Sequence, residues 1–220
     1  SFITWTLATF QYENFILAGK SMGALKRNVL RPLFRILAAQ GIPYRYNRSE
    51  HYIEIGSNTY YCFGANNEAS QDVLQGLTAA GALADEAALF PESFIEQMIG
   101  RCSVEGSKVW LNCNPEGPFH YVKTEYIDKA EEKRILHLHF TLDDNLTLSE
   151  KVKERYKRLF SGVFYKRFIL GLWVMAEGVV YDMFDPDRHV VKTLPPIQHY
   201  YVGIDYGTTN PTVFLLLGAG

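Results

Sequence analysis

Asp85 and Glu86 stand side by side where a run of small apolar residues, Ala80-Gly81-Ala82-Leu83-Ala84, comes to an end. Such a run suits a strand buried on both faces, so it delivers two adjacent carboxylates at its carboxyl end. Paired acids in that place suit phosphoanhydride hydrolysis. The first can hold Mg2+, usually through water, and the second can polarise the attacking water and take its proton. An acidic turn closing an ordinary strand has the same pattern, and the pair alone does not choose between the two. Further on, Val109-Trp110-Leu111 ends at Asn112-Cys113-Asn114-Pro115. Pro115 restricts Asn114 to extended geometry and stops the strand. Side-chain amides there could sense a terminal phosphate or the attacking water; an ordinary Asn-Pro turn is the plainer reading. Ala18-Gly19-Lys20-Ser21 ends like a phosphate-binding loop, but Asn14 stands where that loop needs its earlier glycine, and apolar Phe15-Ile16-Leu17 fills the loop's place. It is read as a strand end instead.

The elements that must position these residues alternate along the chain. Residues 1–11 have helical spacing, and Phe15-Ile16-Leu17-Ala18 is a buried strand. Leu25, Val29, Leu33 and Leu37 mark a helix over 22–40, closed by Gly41-Ile42-Pro43. Alternating stretches at 43–47, 51–55 and 58–63 predict a hairpin or small meander. A short helix over 70–76 precedes the strand 80–84, and Pro91 opens a helix to about Ser103. After the strand 109–111 come a helix (119–129), a strand (134–140) and a Ser149-capped helix (150–160). The fold class is α/β, a mostly parallel sheet flanked by helices, and in such sheets ligands collect at the carboxyl ends of strands. The polar clusters at 19–21, 85–86 and 112–115 all fall there.

The formal net charge is −2, so a nucleic-acid partner cannot be argued from total charge. No run is long and apolar enough for a membrane-spanning helix. Cys62, Cys102 and Cys113 are widely spaced without a CxxC, which points away from a zinc site or disulfide framework and towards a reducing compartment. The chain has no initiator Met and enters a helical pattern at once; its last residues follow directly on a strand. It reads as a piece of something longer.

Taken in order, these motifs resemble the ATPase part of the terminase large subunits of tailed bacteriophages, in the PBSX-like branch. Asp85-Glu86 resembles the Walker B acids of an ASCE-type P-loop motor, and Asn112-Cys113-Asn114-Pro115 its coupling motif. Gln75-Gly76-Leu77-Thr78-Ala79-Ala80-Gly81 resembles the segment leading into Walker B. Phe164 to Trp173, then Ala176-Glu177-Gly178-Val179-Val180-Tyr181, resembles the passage from motor to nuclease. The similarity covers nearly the whole chain. It implies an ATPase domain over 1–172, a junction over 173–198 and the start of an RNase H-like nuclease over 199–220.

The resemblance also implies roles. ATP and Mg2+ would be the cofactors, with Asp85 a metal-binding residue, Glu86 the base, and Asn112 and Asn114 at the nucleotide, linking hydrolysis to movement. Ser1 would be the last residue of a cropped P-loop, its hydroxyl on Mg2+; a serine capping a helix at an arbitrary start is the alternative. An arginine finger is unassigned: Gln75 stands near where relatives carry Arg, and Arg27 and Arg101 remain candidates. Tyr201-Val202-Gly203-Ile204-Asp205, followed by a Gly/Thr turn, resembles the first nuclease hairpin, with inward-facing Asp205 the first carboxylate of a two-metal site taking Mg2+ or Mn2+. A generic hairpin with one satisfied Asp is the rival. The other carboxylates would lie beyond residue 220, so this chain alone should neither cut DNA nor hydrolyse ATP.

Implied partners are double-stranded DNA, the portal protein, the terminase small subunit and further copies in a ring on the portal, in the host cytoplasm. The rivals are a helicase-like P-loop ATPase and a non-catalytic prophage remnant. Lys151, Lys153, Arg155, Lys157, Arg158, Lys166 and Arg167 could follow a phosphate backbone; a solvated helix face is the simpler reading. The histidines, His137 and His139 included, are read as structural.

Overall fold

The computed structural model describes residues 1–175, 189–191, 193–194, 196–206 and 212–219, the side chains of 68, 69 and 71 excepted. The chain divides into two compact units, Ser1–Glu177 and Gly178–Gly220.

The first unit is built on a six-stranded sheet. Its strands are β1 (Asn14–Gly19), β2 (Tyr44–Asn47), β3 (Tyr52–Ile55), β4 (Asn58–Gly64), β5 (Gly81–Asp85) and β6 (Lys108–Leu111), in the order β2-β3-β4-β1-β5-β6. β1 runs parallel to β4 and β5, and β5 parallel to β6. β2, β3 and β4 form the expected antiparallel meander. Its last strand turns out to be part of the parallel core.

Strand periodicity sorts the buried side chains of β1 onto two faces. Phe15 and Leu17 pack with Leu25, Leu30 and Leu37 of the continuous helical stretch from Met22 to Ala39. Ile16 and Ala18 pack on the other face with Phe94, Ile95 and Met98 of the helix Glu92–Arg101. Both faces are covered, which is why β1 and β5 read as unbroken apolar runs.

Helix α1 (Phe2–Thr9) lies on the Phe15–Leu17 face. Trp5 sits against Gly81, where a Cβ would lie 2.8 Å from the Lys108 carbonyl and 3.0 Å from the Trp5 ring. Only glycine allows that approach. Phe2 packs edge-on against Trp110, with ring centroids 5.6 Å apart. The helix therefore runs antiparallel to β5 and β6, with its C-terminus by the start of β1 and Ser1 at the carboxyl edge of the sheet. A buried polar pair anchors it: the Thr6 and Tyr60 hydroxyls are 2.6 Å apart, and Thr6 donates onward to the Ile3 carbonyl.

The strand expected over 134–140 is absent among the described residues: Arg134 lies in a turn. Residues 135–140 pair with no described strand, and Leu136, Leu138 and Phe140 are exposed. Alternation gives a strand only where a partner strand lies alongside, and this segment is paired with none of the described strands. The preceding helix is also shorter than expected, a π-type stretch Val122–Ile127.

In the second unit β7 (His199–Asp205) pairs antiparallel with β8 (Val213–Ala219), Asp205 opposite Val213. Every residue of both strands is exposed. The expected burial of this strand and the inward-facing Asp205 are not found, because two strands alone bury neither face. The turn at 207–211 and the 176–181 junction motif lie outside the described residues.

Candidate active site

β5 ends on Asp85, and the chain then turns through Glu86 in the left-handed region, φ 61° and ψ 44°. A glutamate there is strained by roughly 1–3 kcal/mol, so its surroundings must hold it. Much of that work falls to Asn112, just past β6. The backbone N–H of Glu86 donates to Asn112 Oδ1 at 3.0 Å, and Asn112 Nδ2 donates to Asp85 Oδ1 at 3.1 Å. The Ala87 N–H donates to the Asn112 carbonyl at 2.8 Å, and the Asn112 N–H to the Ala84 carbonyl at 3.1 Å. One orientation of the amide satisfies both side-chain bonds; the flipped one would set donor against donor and acceptor against carboxylate. The two polar strand ends singled out from sequence are thus one hydrogen-bonded unit.

The unit opens into a cleft of ≈ 370 Å³ lined by Asn28, Asp85, Glu86, Asn112, Cys113 and Asn114. A second cavity of ≈ 180 Å³ adjoins it, with Glu86, Asn114, Glu116 and Phe168 among its walls. Asn114 lines both. Burial pushes the Cys113 thiol above its ordinary pKa, so it stands there as a neutral side chain. Ser1 lies at this same edge of the sheet, outside the cleft lining, and its side chain caps no amide of α1.

The remaining sequence candidates separate. Arg27 precedes the cleft-lining Asn28 on the helix that follows β1. Arg101 sits at the opposite edge: its carbonyl accepts from Ala79 at the entrance to β5, and its guanidinium is held by Gln97. Asp205 belongs to the second unit. Among the described residues, no three His, Cys, Asp or Glu side chains gather to hold a metal.

The basic stretch is partly structural, since Lys153 pairs with Glu150 at 3.0 Å and Lys157 with Asp143 at 2.6 Å. Arg167 pairs with Glu116 at 3.0 Å. His120 behaves structurally too, its Nδ1 accepting from the Val122 N–H.

Three residues at the site were not foreseen. Asn28 carries no signal of its own, being one polar residue on a helix. Lys20 was set aside with the rejected loop, yet β1 is in register with β5, Gly19 opposite Asp85, so Lys20 leaves the sheet beside Glu86. Its ammonium donates to the Leu89 carbonyl at 2.7 Å. Tyr121 reaches back from beyond β6 to the Ala87 and Phe90 carbonyls, each at 3.1 Å.

The sequence model of the family "Terminase large subunit, T4likevirus-type, N-terminal" matches residues 2–186. Among curated proteins none matches. The large terminase of a thermophilic bacteriophage is 55% identical over 99% of this chain and 55% of its own, with a TM-score of 0.77. The same phage terminase in complex with ATP-gamma-S is 53% identical over 99% of this chain and 54% of its own, with a TM-score of 0.75. The chain therefore spans about half the length of these relatives. The ATPase domain of the Thermus phage P74-26 large terminase shares the fold at 12% identity, covering 78% of this chain and 81% of its own, with a TM-score of 0.57. The chain belongs to the T4likevirus-type terminase large subunits, and what it matches is their N-terminal part.

Proposed function

We propose that the edge formed by Asp85, Glu86, Asn112 and Asn114 is the ATP-hydrolysing site of a DNA-packaging motor. The observation that carries this reading is the Asn112 amide, which ties both carboxylates' residues to the next strand end in one open cleft. The relative from the thermophilic phage was solved with ATP-gamma-S and, separately, with ADP, which supports a nucleotide here.

The topology supports a P-loop just ahead of α1. Parallel crossovers in one sheet are right-handed. From β1 the chain crosses to β4 over one face, and from β5 to β6 over the other, in opposite directions along the sheet. Helix α1 lies on the same face as the β1-to-β4 crossover and leads into β1. By the same hand, a strand feeding α1 belongs on the β5–β6 side of β1, along the free edge of β6. Its carboxyl end would meet the α1 N-terminus beside Asn112, where backbone amides and the helix dipole suit phosphate. Residues 135–140 would then flank that strand on its far side, which accounts for their alternation.

The donor set fits Mg2+: the Asp85 carboxylate keeps one oxygen outside the Asn112 bond, and hydroxyl and carboxylate oxygens are its preferred ligands. Asp85 and Ser1 would hold the ion, which neutralises phosphate charge when bound. Glu86 accepts the proton of the attacking water. Asn112 fixes the spacing of the two acids, and Asn114, lining both cavities, carries the state of the site towards Glu116.

For the whole protein we infer packaging of double-stranded DNA into a procapsid, by a ring of copies on the portal protein fed by the terminase small subunit, in the host cytoplasm. We infer a Mg2+- or Mn2+-dependent RNase H-like nuclease starting at Asp205. The PBSX-like placement rests on motif resemblance. The test is ATP hydrolysis by the complete gene product and its loss in Glu86→Gln; parental turnover in that variant refutes the site.

A further inference from the structure

The turn that carries Glu86 is short, left-handed at its first residue, and gripped from outside by side chains of two further elements. From β1, on one side of β5, Lys20 Nζ donates to the Leu89 carbonyl at 2.7 Å. From beyond β6, on the other side, the Tyr121 hydroxyl reaches the Ala87 and Phe90 carbonyls, both at 3.1 Å. A hydroxyl has one hydrogen, so this is a shared bond to two acceptors. Lys20 has no carboxylate within ion-pair distance among the described residues. A lysine held by a neutral carbonyl, with acids at the neighbouring strand end, serves orientation.

Asn112 fixes the start of the turn through the Glu86 and Ala87 N–H groups. Lys20 and Tyr121 hold its carbonyls, Lys20 at Leu89 and Tyr121 at Ala87 and Phe90. The segment 86–90 is thereby held at five backbone groups by three residues from separate parts of the sheet. Such redundancy suits a strained residue that must present one side chain in one place.

We propose that Lys20 and Tyr121 are positioning residues that hold the Glu86 carboxylate in its working place by clamping the turn behind it. The proposal rests on the reading of Glu86 as the base. Neither residue lines the cleft, so their loss should slow the chemical step and leave nucleotide binding alone. A misplaced catalytic group costs on the order of one to two powers of ten in rate.

The test uses the complete gene product, with single-turnover ATP hydrolysis, ATP affinity and melting temperature measured for Tyr121→Phe, Lys20→Met and Lys20→Arg. Tyr121→Phe and Lys20→Met should each slow hydrolysis on the order of tenfold or more with unchanged ATP affinity. Lys20→Arg, which keeps a cationic donor, should recover most of the rate. Combining Tyr121→Phe with Glu86→Gln should slow hydrolysis no further than Glu86→Gln alone, because the clamp acts only through that carboxylate. Hydrolysis by Tyr121→Phe within about twofold of the parent overturns the proposal, as does an additive double variant. If Tyr121→Phe melts too early to assay, the Lys20→Met and Lys20→Arg pair decides: equal rates in those two overturn it. A Glu86→Gln protein with parental turnover removes the base and the clamp together. Failure of the clamp alone looks different, with Glu86→Gln inactive and Tyr121→Phe at the parental rate.

Discussion

Asn112 donates its side-chain N–H to Asp85 Oδ1 at 3.1 Å, and the same amide accepts from the backbone of Glu86 at 3.0 Å. Two adjacent residues at the end of β5 are thereby locked to a third at the end of β6, and the lock requires an amide. A carboxylate at 112 keeps the acceptor but turns the donor into a second negative charge facing Asp85. Asn112→Asp should therefore cost more hydrolysis than Asn112→Ala, with the Asp variant down at least on the order of a hundredfold. Steady-state ATPase assays on the complete gene product rank the two. An Asp variant as active as the parent contradicts the geometry.

The second prediction concerns the free edge of β6. The 220-residue chain should not turn over ATP, and amides in 136–140 should exchange freely with solvent, since they have no ladder partner. In the complete gene product those amides should become protected as a strand feeding α1 fills the gap. Hydrogen exchange read by mass spectrometry on both proteins checks this. Equal exchange of 136–140 in the two would remove the proposed strand order.

A third prediction concerns the anchor of α1. The Tyr60 hydroxyl is buried, and burial raises its pKa, so it stays a neutral donor to Thr6. Tyr60→Phe deletes the donor and leaves Thr6 bonded to the Ile3 carbonyl, a loss of about 1 kcal/mol. Thr6→Val leaves the buried Tyr60 hydroxyl without the acceptor for its hydrogen and should cost more, about 1–3 kcal/mol. Urea unfolding of the 220-residue chain orders the two; a milder Thr6→Val would contradict the bond direction.

Asp205→Asn gives a fourth. Two-metal cleavage needs a charged ligand, and an amide supplies none. In the complete gene product, plasmid cleavage with Mg2+ or Mn2+ should vanish while ATP hydrolysis stays near parental. Retained cleavage would make Asp205 an ordinary hairpin residue, and loss of both activities would report misfolding.

Much of this was legible before the structure. Buried strands announce themselves by apolar runs that stop at polar residues, so Phe15–Ala18, Ala80–Ala84 and Val109–Leu111 came through with their carboxyl-end clusters. What did not come through depended on neighbours. The segment 135–140 alternates as a strand does, but alternation describes a face and says nothing about whether an edge is there to meet it. Asp205 reads as inward-facing because its strand is apolar, yet a two-stranded sheet has no inside. Lys20 and Tyr121 act on carbonyls, which every residue carries, so no spacing rule could link them to Glu86. Register made the link for Lys20, through Gly19 opposite Asp85.

In the proposed site Glu86 removes the proton from the water that attacks ATP. The most direct test of that step is Glu86→Gln in the complete gene product, with ATP binding and hydrolysis measured on one preparation. The amide keeps the shape of the side chain but cannot take the proton, and loss of such a base typically costs about 10²–10⁴-fold. The variant should bind ATP at parental affinity, with turnover reduced by that factor. Turnover within about tenfold of the parent, at equal ATP affinity, would contradict it.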